Sequence, residues 1–225
     1  MVQDQKAPVL VFTGDSITDC DRLWDERRDR LGDGYVRMIQ EQLPDAVVVN
    51  RGHNGYTAFQ MRLRWREDCI SRNPDVVTIL VGVNDLSLHL YGGGYGPEGY
   101  RECLEQMVAE AESRTHARVI LMEPFIFPWP AEYANWIKPL EGFRLETRAL
   151  AEERGLSFVP LWDIFQEKRR ICGDEKLTVD GIHLTSAGHA IVAEAWMKVY
   201  IDVENGKGRR YELQNYKSGR TDMEN

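Results

Sequence analysis

The residues VLVFTGDSITDCD, Val9 to Asp21, begin with an apolar run and then reach Gly14, Asp15 and Ser16. A continuously apolar run of this kind is typical of a strand that is buried on both faces of a parallel sheet. A serine that follows such a strand can be a turn residue, a helix cap or a nucleophile. The rest of the sequence has to distinguish these three roles.

Strand-like runs recur along the chain, with helix-like segments between them. The strands are predicted at 9–12, 46–50, 75–82, 117–122 and 156–160. The helices are predicted at 33–43, 57–72, 98–114, 137–154 and 186–200. This alternation is typical of an α/β fold with a parallel sheet and helices on both faces. No linker divides the chain, so one domain is predicted over 1–203, followed by a polar tail over 204–225.

Composition and charge argue against several classes of partner. The 28 basic residues against 36 acidic residues give a net charge of −8, whereas binding to a phosphate backbone needs a basic face. No apolar run approaches the roughly 20 residues that span a bilayer, and the N-terminal residues lack the apolar core of a secretory signal. The four cysteines are scattered and form no CxxC pair. We therefore expect a cytoplasmic protein with reduced thiols and no nucleic-acid or membrane partner.

Three loops are expected to meet at the carboxyl edge of the sheet. Ligands of open parallel sheets bind there, and in the strand order 2-1-3-4-5 the first three strands are immediate neighbours. Ser16 follows the first strand, NRGHNGYT with Gly52 and Gly55 follows the second, and GVND with Asn84 follows the third. Glycine N–H groups, an asparagine amide and the serine's own N–H are the donors that an oxyanion hole requires.

A serine hydroxyl also needs a base, and that base needs an orienting acid. The segment VDGIHLTSAGH, which precedes the last helix, carries Asp180 and His183 three positions apart. This spacing lets the carboxylate hold one imidazole nitrogen and leaves the other nitrogen to face Ser16. Asp180 and His183 are therefore the candidate acid and base.

The motifs FTGDSITD, NRGHNGYT, VGVND and VDGIHLTSAGH resemble, in order, the four blocks of the SGNH/GDSL hydrolases. The resemblance implies a flavodoxin-like three-layer α/β/α sandwich with a five-stranded parallel sheet, and an esterase that needs no metal and no cofactor. By motif position it implies the nucleophile Ser16, the oxyanion-hole residues Ser16, Gly55 and Asn84, and the acid and base Asp180 and His183. The strings GDSITDC and RWREDCI are most similar to the acetylxylan and carbohydrate esterase branch.

The sequence departs from the family pattern at two places. His183 is followed by Leu184, where the family usually has proline, which is expected to loosen the loop around the base. His53 and Asn54 lie between the two glycines of the second block, where smaller or apolar residues are commoner. Gly55, rather than Gly52, matches the second glycine of that block.

Simpler roles stand beside the catalytic ones. Ser16 could cap the helix after its strand, and His189 is interpreted as a buried or capping histidine. Asp85 is expected to fix its own loop through bonds to the backbone. Asp15, Asp19 and Asp21 could be metal ligands, but their spacing is not that of a calcium loop, so no metal site is predicted.

The function that these residues predict is hydrolysis of a short-chain acyl ester, principally acetyl, on a carbohydrate. The alternatives are a lysophospholipase, an acyl thioesterase, a non-catalytic module that binds acylated sugars, and a metal-dependent phosphoesterase. The expected partner is a small-molecule ester, and a homo-oligomer is left open. Aromatic residues concentrate in 90–97 and 124–136, and Trp24 is similarly placed. These rings could line a sugar site, an acyl pocket, a lid or a subunit contact.

Overall fold

The computed structural model of the protein describes residues 6–204, with side chains through Asp202. Its sheet has the order β2-β1-β3-β4-β5, and each neighbouring pair of strands is parallel. The strands are β1 (Val9–Gly14), β2 (Val47–Gly52), β3 (Val76–Leu80), β4 (Arg118–Met122) and β5 (Ser157–Val159). Each predicted strand overlaps an observed one, and the predicted strand order is confirmed.

The helices cover both faces of this sheet. They are α1 (Ser16–Asp19), α2 (Tyr35–Gln42), α3 (Ala58–Asp68), α4 (Val83–Leu90), α5 (Pro97–Arg114), α6 (Ile137–Arg154), α7 (Leu161–Cys172) and α8 (Ser186–Glu204). The sequence patterns predicted α2, α3, α5, α6 and α8, and a helix after β1 was considered without bounds, whereas α4 and α7 were missed. The last helix includes Glu204, and the remainder of the predicted tail, 205–225, lies outside the described residues.

One face of the sheet packs against α2, α7 and α8. Phe12 of β1 contacts both Tyr35 of α2 and Trp196 of α8, and its ring centroid lies 5.0 Å from that of Trp196. The indole N–H of Trp196 donates to Oγ1 of Thr78 at 2.9 Å. This bond satisfies two buried polar groups that would otherwise each cost about 1–3 kcal/mol.

The opposite face packs against α3, α5 and α6. Its buried side chains include Trp65, Val77, Ile79, Met107 and Phe143. All five residues of the central strand β3 are buried, which explains why that run is apolar without alternation. The three-layer α/β/α architecture is therefore the one that the sequence predicted.

Candidate active site

The register of the sheet brings three chain segments to one edge. Gly14 ends β1 and lies beside Gly52 of β2 on one side and Leu80 of β3 on the other. A Cβ on Gly52 would lie 2.2 Å from the backbone nitrogen of Asp19. Only glycine therefore lets α1 cross this strand end, and the segments that follow β1, β2 and β3 begin next to one another.

Ser16 is the first residue of α1, and Asp15 is the residue that caps this helix. The Asp15 carboxylate accepts the Ile17 N–H at 3.0 Å, so the alternative in which Ser16 serves as the cap is wrong. Burial raises the pKa of Asp15 to about 6, although the bond from Ile17 opposes the shift. The capping aspartate leaves the serine hydroxyl free to face the neighbouring loops.

Ser16, His183 and Asp180 form one hydrogen-bonded row. Oγ of Ser16 lies 2.8 Å from Nε2 of His183, and Nδ1 of the same ring lies 2.6 Å from Oδ2 of Asp180. The other carboxylate oxygen accepts the backbone N–H groups of Ile182 at 2.9 Å and His183 at 2.7 Å. Partial burial works to raise the pKa of Asp180, but the imidazole and these N–H donors hold it below its usual value.

The loop that carries Asp180 and His183 is braced by Thr178, which the sequence analysis did not single out. Its hydroxyl donates to the His183 carbonyl at 2.7 Å and accepts the Gly181 N–H at 2.8 Å. Leu184, in the place of the usual proline, pairs with Thr178 in an isolated antiparallel bridge and is buried. A buried hydroxyl therefore closes this loop in the absence of the proline, and the looser constraint expected from Leu184 stays a prediction.

Gly55 and Asn84 lie in the segments that follow β2 and β3. Gly55 has φ +76°, the left-handed region that favours glycine, within a turn closed by the Tyr56 N–H and the His53 carbonyl. The Asn84 side-chain amide donates to the Tyr56 carbonyl at 3.0 Å. One asparagine hydrogen therefore ties the two loops together, and the second remains available to another acceptor.

Asp85 bonds to more of the backbone than the expected local contact. Its carboxylate interacts with its own backbone N–H, and it also accepts the Ala58 N–H at 3.0 and 3.1 Å, which fixes the start of α3. Burial raises its pKa to about 7. No sequence pattern indicates the contact with Ala58, because it depends on how the first turns of α3 and α4 pack together.

His53 belongs to a hydrogen-bonded network with Asp68 and Arg22. Its Nε2 lies 2.8 Å from Oδ2 of Asp68, and its ring stacks on Tyr56 at 4.5 Å. The Arg22 guanidinium donates to the Gly52 carbonyl at 2.7 Å and contacts Nδ1 of His53 at 3.3 Å. Arg22 thus joins the segment that follows Ser16 to the loop that carries Gly55.

The remaining titratable candidates have structural contacts. Asp19 pairs with Arg22 at 3.2 Å, whereas Asp21 is exposed. His189 is buried and accepts the Tyr35 N–H at 3.3 Å, as its interpretation as a buried histidine predicted. Burial lowers its pKa to about 4. The residues that the structure describes contain no group of three His, Cys, Asp or Glu side chains arranged to hold a metal ion.

The aromatic segments divide between core and surface. Phe125 and Phe127 are buried and pack against Phe165 of α7. Trp129, Tyr133 and Trp136 remain at least partly exposed, and the Trp129 carbonyl and the Tyr133 ring lie against Gly181 of the acid–base loop. Within residues 6–204, no helix combines the length and apolarity needed to cross a membrane. All four cysteines are free.

The hydrogen bonds from Ser16 to His183 and from His183 to Asp180 have the order and the distances of a serine hydrolase's catalytic triad. A model of the GDSL-like lipase/acylhydrolase family matches residues 12–191. The chain therefore belongs to this family and is a carboxylic ester hydrolase, which confirms the resemblance inferred from the four motifs.

Curated and solved relatives agree with this assignment. The chain is 31% identical over 208 residues to an acetylxylan esterase of Geobacillus stearothermophilus, with 84% of this chain and 92% of the relative covered. The crystal structure of a GDSL-like lipase from Parabacteroides merdae matches with a TM-score of 0.80 and 32% identity over 87% of this chain and 96% of that one. Axe2, an acetylxylan esterase from G. stearothermophilus, matches with a TM-score of 0.76 and 28% identity over the same shares.

Proposed function

We propose that this chain is a serine esterase that removes short acyl groups, principally acetyl, from carbohydrates through an acyl-enzyme. The observation that carries the proposal is the unbroken row from Ser16 through His183 to Asp180, at 2.8 and 2.6 Å. A serine hydroxyl becomes an effective nucleophile when an oriented base is within hydrogen-bond reach. In this structure His183 is oriented by Asp180 and already lies within hydrogen-bond reach of Ser16.

In the first half of the reaction, Oγ of Ser16 attacks the ester carbonyl while Nε2 of His183 takes its proton. The imidazolium that forms is stabilised by Asp180, which also fixes the ring orientation. Ser16 is the first residue of α1, so its N–H has no partner within that helix. This N–H, the Gly55 N–H and the second hydrogen of the Asn84 amide are the donors for the oxyanion.

In the second half, His183 gives its proton to the departing alcohol oxygen, and the ester bond breaks to leave Ser16 acylated. Water then enters, loses a proton to the same nitrogen and attacks the acyl carbon. Collapse of the second tetrahedral intermediate releases the carboxylic acid and restores Ser16. His183 therefore needs access to the leaving group, and its side chain is 46% exposed.

The substrate class is argued from the relatives. One curated relative is an acetylxylan esterase, and one structure of its solved counterpart is described as that of an acetyl-xylooligosaccharide esterase. An acetylated xylo-oligosaccharide is the first substrate to test.

One observation favours a rival, an esterase of longer acyl chains. A cleft of about 410 Å³ opens beside the Gly55 loop, and Phe59, Leu88, Tyr95 and Asp85 are among the residues that line it. A chain that filled this cleft would gain up to about 0.8 kcal/mol for each buried methylene.

The two candidates differ in their dependence on acyl length. We expect kcat/KM to fall from acetyl through butyryl to octanoyl nitrophenyl esters, and acetylated xylosides to be turned over. Ser16→Ala is the control for hydrolysis outside the site. A kcat/KM that rises with chain length would assign the cleft to an acyl chain and contradict the acetyl preference. Activity that depends on an added divalent metal would instead favour the phosphoesterase.

A further inference from the structure

The segment after β4 packs directly on the loop that carries Asp180 and His183. The Phe127 N–H donates to the Gly181 carbonyl at 2.8 Å. A Cβ on Gly181 would lie 2.1 Å from the Trp129 carbonyl oxygen and 2.6 Å from Cδ2 of Tyr133. The Tyr133 ring therefore lies against Gly181, which directly follows Asp180, and the absence of a side chain at this glycine allows the approach.

From Tyr133 a row of rings continues to a second loop. The centroid of Tyr133 lies 5.0 Å from that of Trp136, and Trp136 lies 6.4 Å from Tyr91, in edge-to-face arrangements. Tyr91 directly follows α4, the helix whose first turn carries Asn84. We call Tyr91, Tyr133 and Trp136 the aromatic cluster. It extends from the end of α4 to the acid–base loop.

The chemistry of the proposed reaction assigns this side of the site to one part of the substrate. His183 must protonate the leaving alcohol, so the alcohol lies next to Nε2 and extends along the surface near the acid–base loop. The acyl group stays bound to Ser16 and points away from the departing oxygen. The aromatic cluster adjoins the acid–base loop, which is the alcohol side.

The charges around the cluster select among alcohols. The pKa of Tyr133 is raised first by burial and then by the nearby carboxylates of Asp180 and Glu132. Negative charge at this place disfavours a phosphate-bearing leaving group such as a glycerophosphodiester or a nucleotide thiol. A neutral sugar ring has C–H faces that pack on aromatic rings and hydroxyl groups that bond to carboxylates and to tyrosine.

We propose that the aromatic cluster is the binding site for the leaving alcohol and that it takes a neutral glycosyl ring. The assignment rests on the proposed function, because it uses the direction in which His183 delivers a proton. A second copy of this chain is the other occupant that exposed rings could take. The test below distinguishes these two occupants.

The test compares two acetyl esters that differ only in the alcohol. Tyr91→Ala is the main variant, because this side chain is 80% exposed and its loss should not impair folding. We expect kcat/KM for acetylated xylobiose to fall roughly fivefold to tenfold, mainly through KM, since one stacked ring is lost. The kcat/KM for methyl acetate should stay within about twofold of wild type. Ile171→Ala removes a similarly exposed apolar side chain, 74% exposed near the end of α7, and should change neither value.

Product binding separates this proposal from the proposed function. Deacetylated xylobiose, titrated calorimetrically, should bind wild type and Ser16→Ala equally and Tyr91→Ala roughly fivefold or more weakly, whether or not turnover occurs. Equal binding by Tyr91→Ala and wild type would overturn the assignment. If Tyr91→Ala changed the dependence of kcat/KM on acyl length, the assignment would also be overturned, because the cluster would then contact the acyl chain. Dissociation of an oligomer in sedimentation, with unchanged kinetics, would assign the cluster to a subunit contact.

Discussion

Oγ of Ser16 lies 2.8 Å from Nε2 of His183, although the two residues are 167 positions apart in the chain. Ser16 is fixed by the end of β1 and by the Asp15 cap. His183 is fixed by a loop that Thr178 closes and that α8 follows. The contact therefore depends on the fold that brings the end of β1 next to the loop before α8. Its effect on ester hydrolysis can be measured.

Removal of either partner should abolish most turnover. We expect Ser16→Ala and His183→Ala each to lower kcat by at least about 10³-fold, and the double variant to lose little more, because the residues act as one unit. Nitrophenyl acetate hydrolysis provides the measurement. Ser113→Ala, an exposed serine on α5, should match wild type. Near-normal turnover by Ser16→Ala would contradict the mechanism.

Loss of the Asn84 amide should affect the transition state more than substrate binding. We expect Asn84→Ala to lower kcat by roughly 10²–10³-fold with KM little altered, the cost of one oxyanion donor. Steady-state kinetics on the acetyl ester separate the two constants. A loss confined to KM would show that Asn84 binds the ground-state substrate instead.

The two glycines of the loop after β2 should respond differently to alanine. A Cβ on Gly55 meets no atom within 4 Å, so Gly55→Ala has only the cost of its positive φ, about 1–2 kcal/mol. A Cβ on Gly52 would meet the Asp19 backbone at 2.2 Å, and Gly52→Ala should destabilise the protein more. Urea unfolding of both variants measures the difference. Equal losses in the free energy of unfolding would mean that the loop relaxes around the new side chain at position 52.

Burial of His189 should make stability depend on pH. Its pKa is lowered from 6.5 to about 4 by burial, so between these values the unfolded chain binds more protons than the folded one. Its stabilising contribution is complete above pH 6.5 and is lost as pH falls towards 4, by at most about 3 kcal/mol.

The measurement compares wild type with His189→Gln, whose amide oxygen can still accept the Tyr35 N–H. The difference in free energy of unfolding between wild type and His189→Gln should become smaller as the pH falls from 6.5 to 4. The buried Asp15 carboxyl is present in both proteins, so its own titration cancels in the difference. A difference that stays constant with pH would show that His189 does not titrate in this way.

The sheet was predictable because its signals are local. Each buried strand is a short apolar run, and the motif residues follow the strands directly, so the parallel order alone brought Ser16, Gly55 and Asn84 to one edge. Helix α7 was missed although Leu161 and Phe165 show helical spacing and are both buried. Helix α4 was missed because GVND was interpreted as a loop motif, whereas Asn84 lies in the first helical turn.

The supporting contacts were not predictable from the sequence. The bond from Ala58 to Asp85 and the contact of Arg22 with His53 each depend on packing between separate segments. The bond from Thr178 to the His183 carbonyl is local, but it depends on the conformation of an irregular loop. No spacing rule identifies such pairs. The pattern therefore indicated the groups to which we assign the chemistry, and the structure added what holds them in position.

Covalent labelling tests the central claim, that Ser16 is an activated nucleophile, most directly. A fluorophosphonate reacts with a serine whose hydroxyl is activated by a base. After incubation and proteolysis, mass spectrometry should find the adduct on the peptide that contains Ser16, with the label absent from Ser16→Ala and formed far more slowly in His183→Ala. An adduct on another residue, or full esterase activity in a protein that takes no label, would contradict the account.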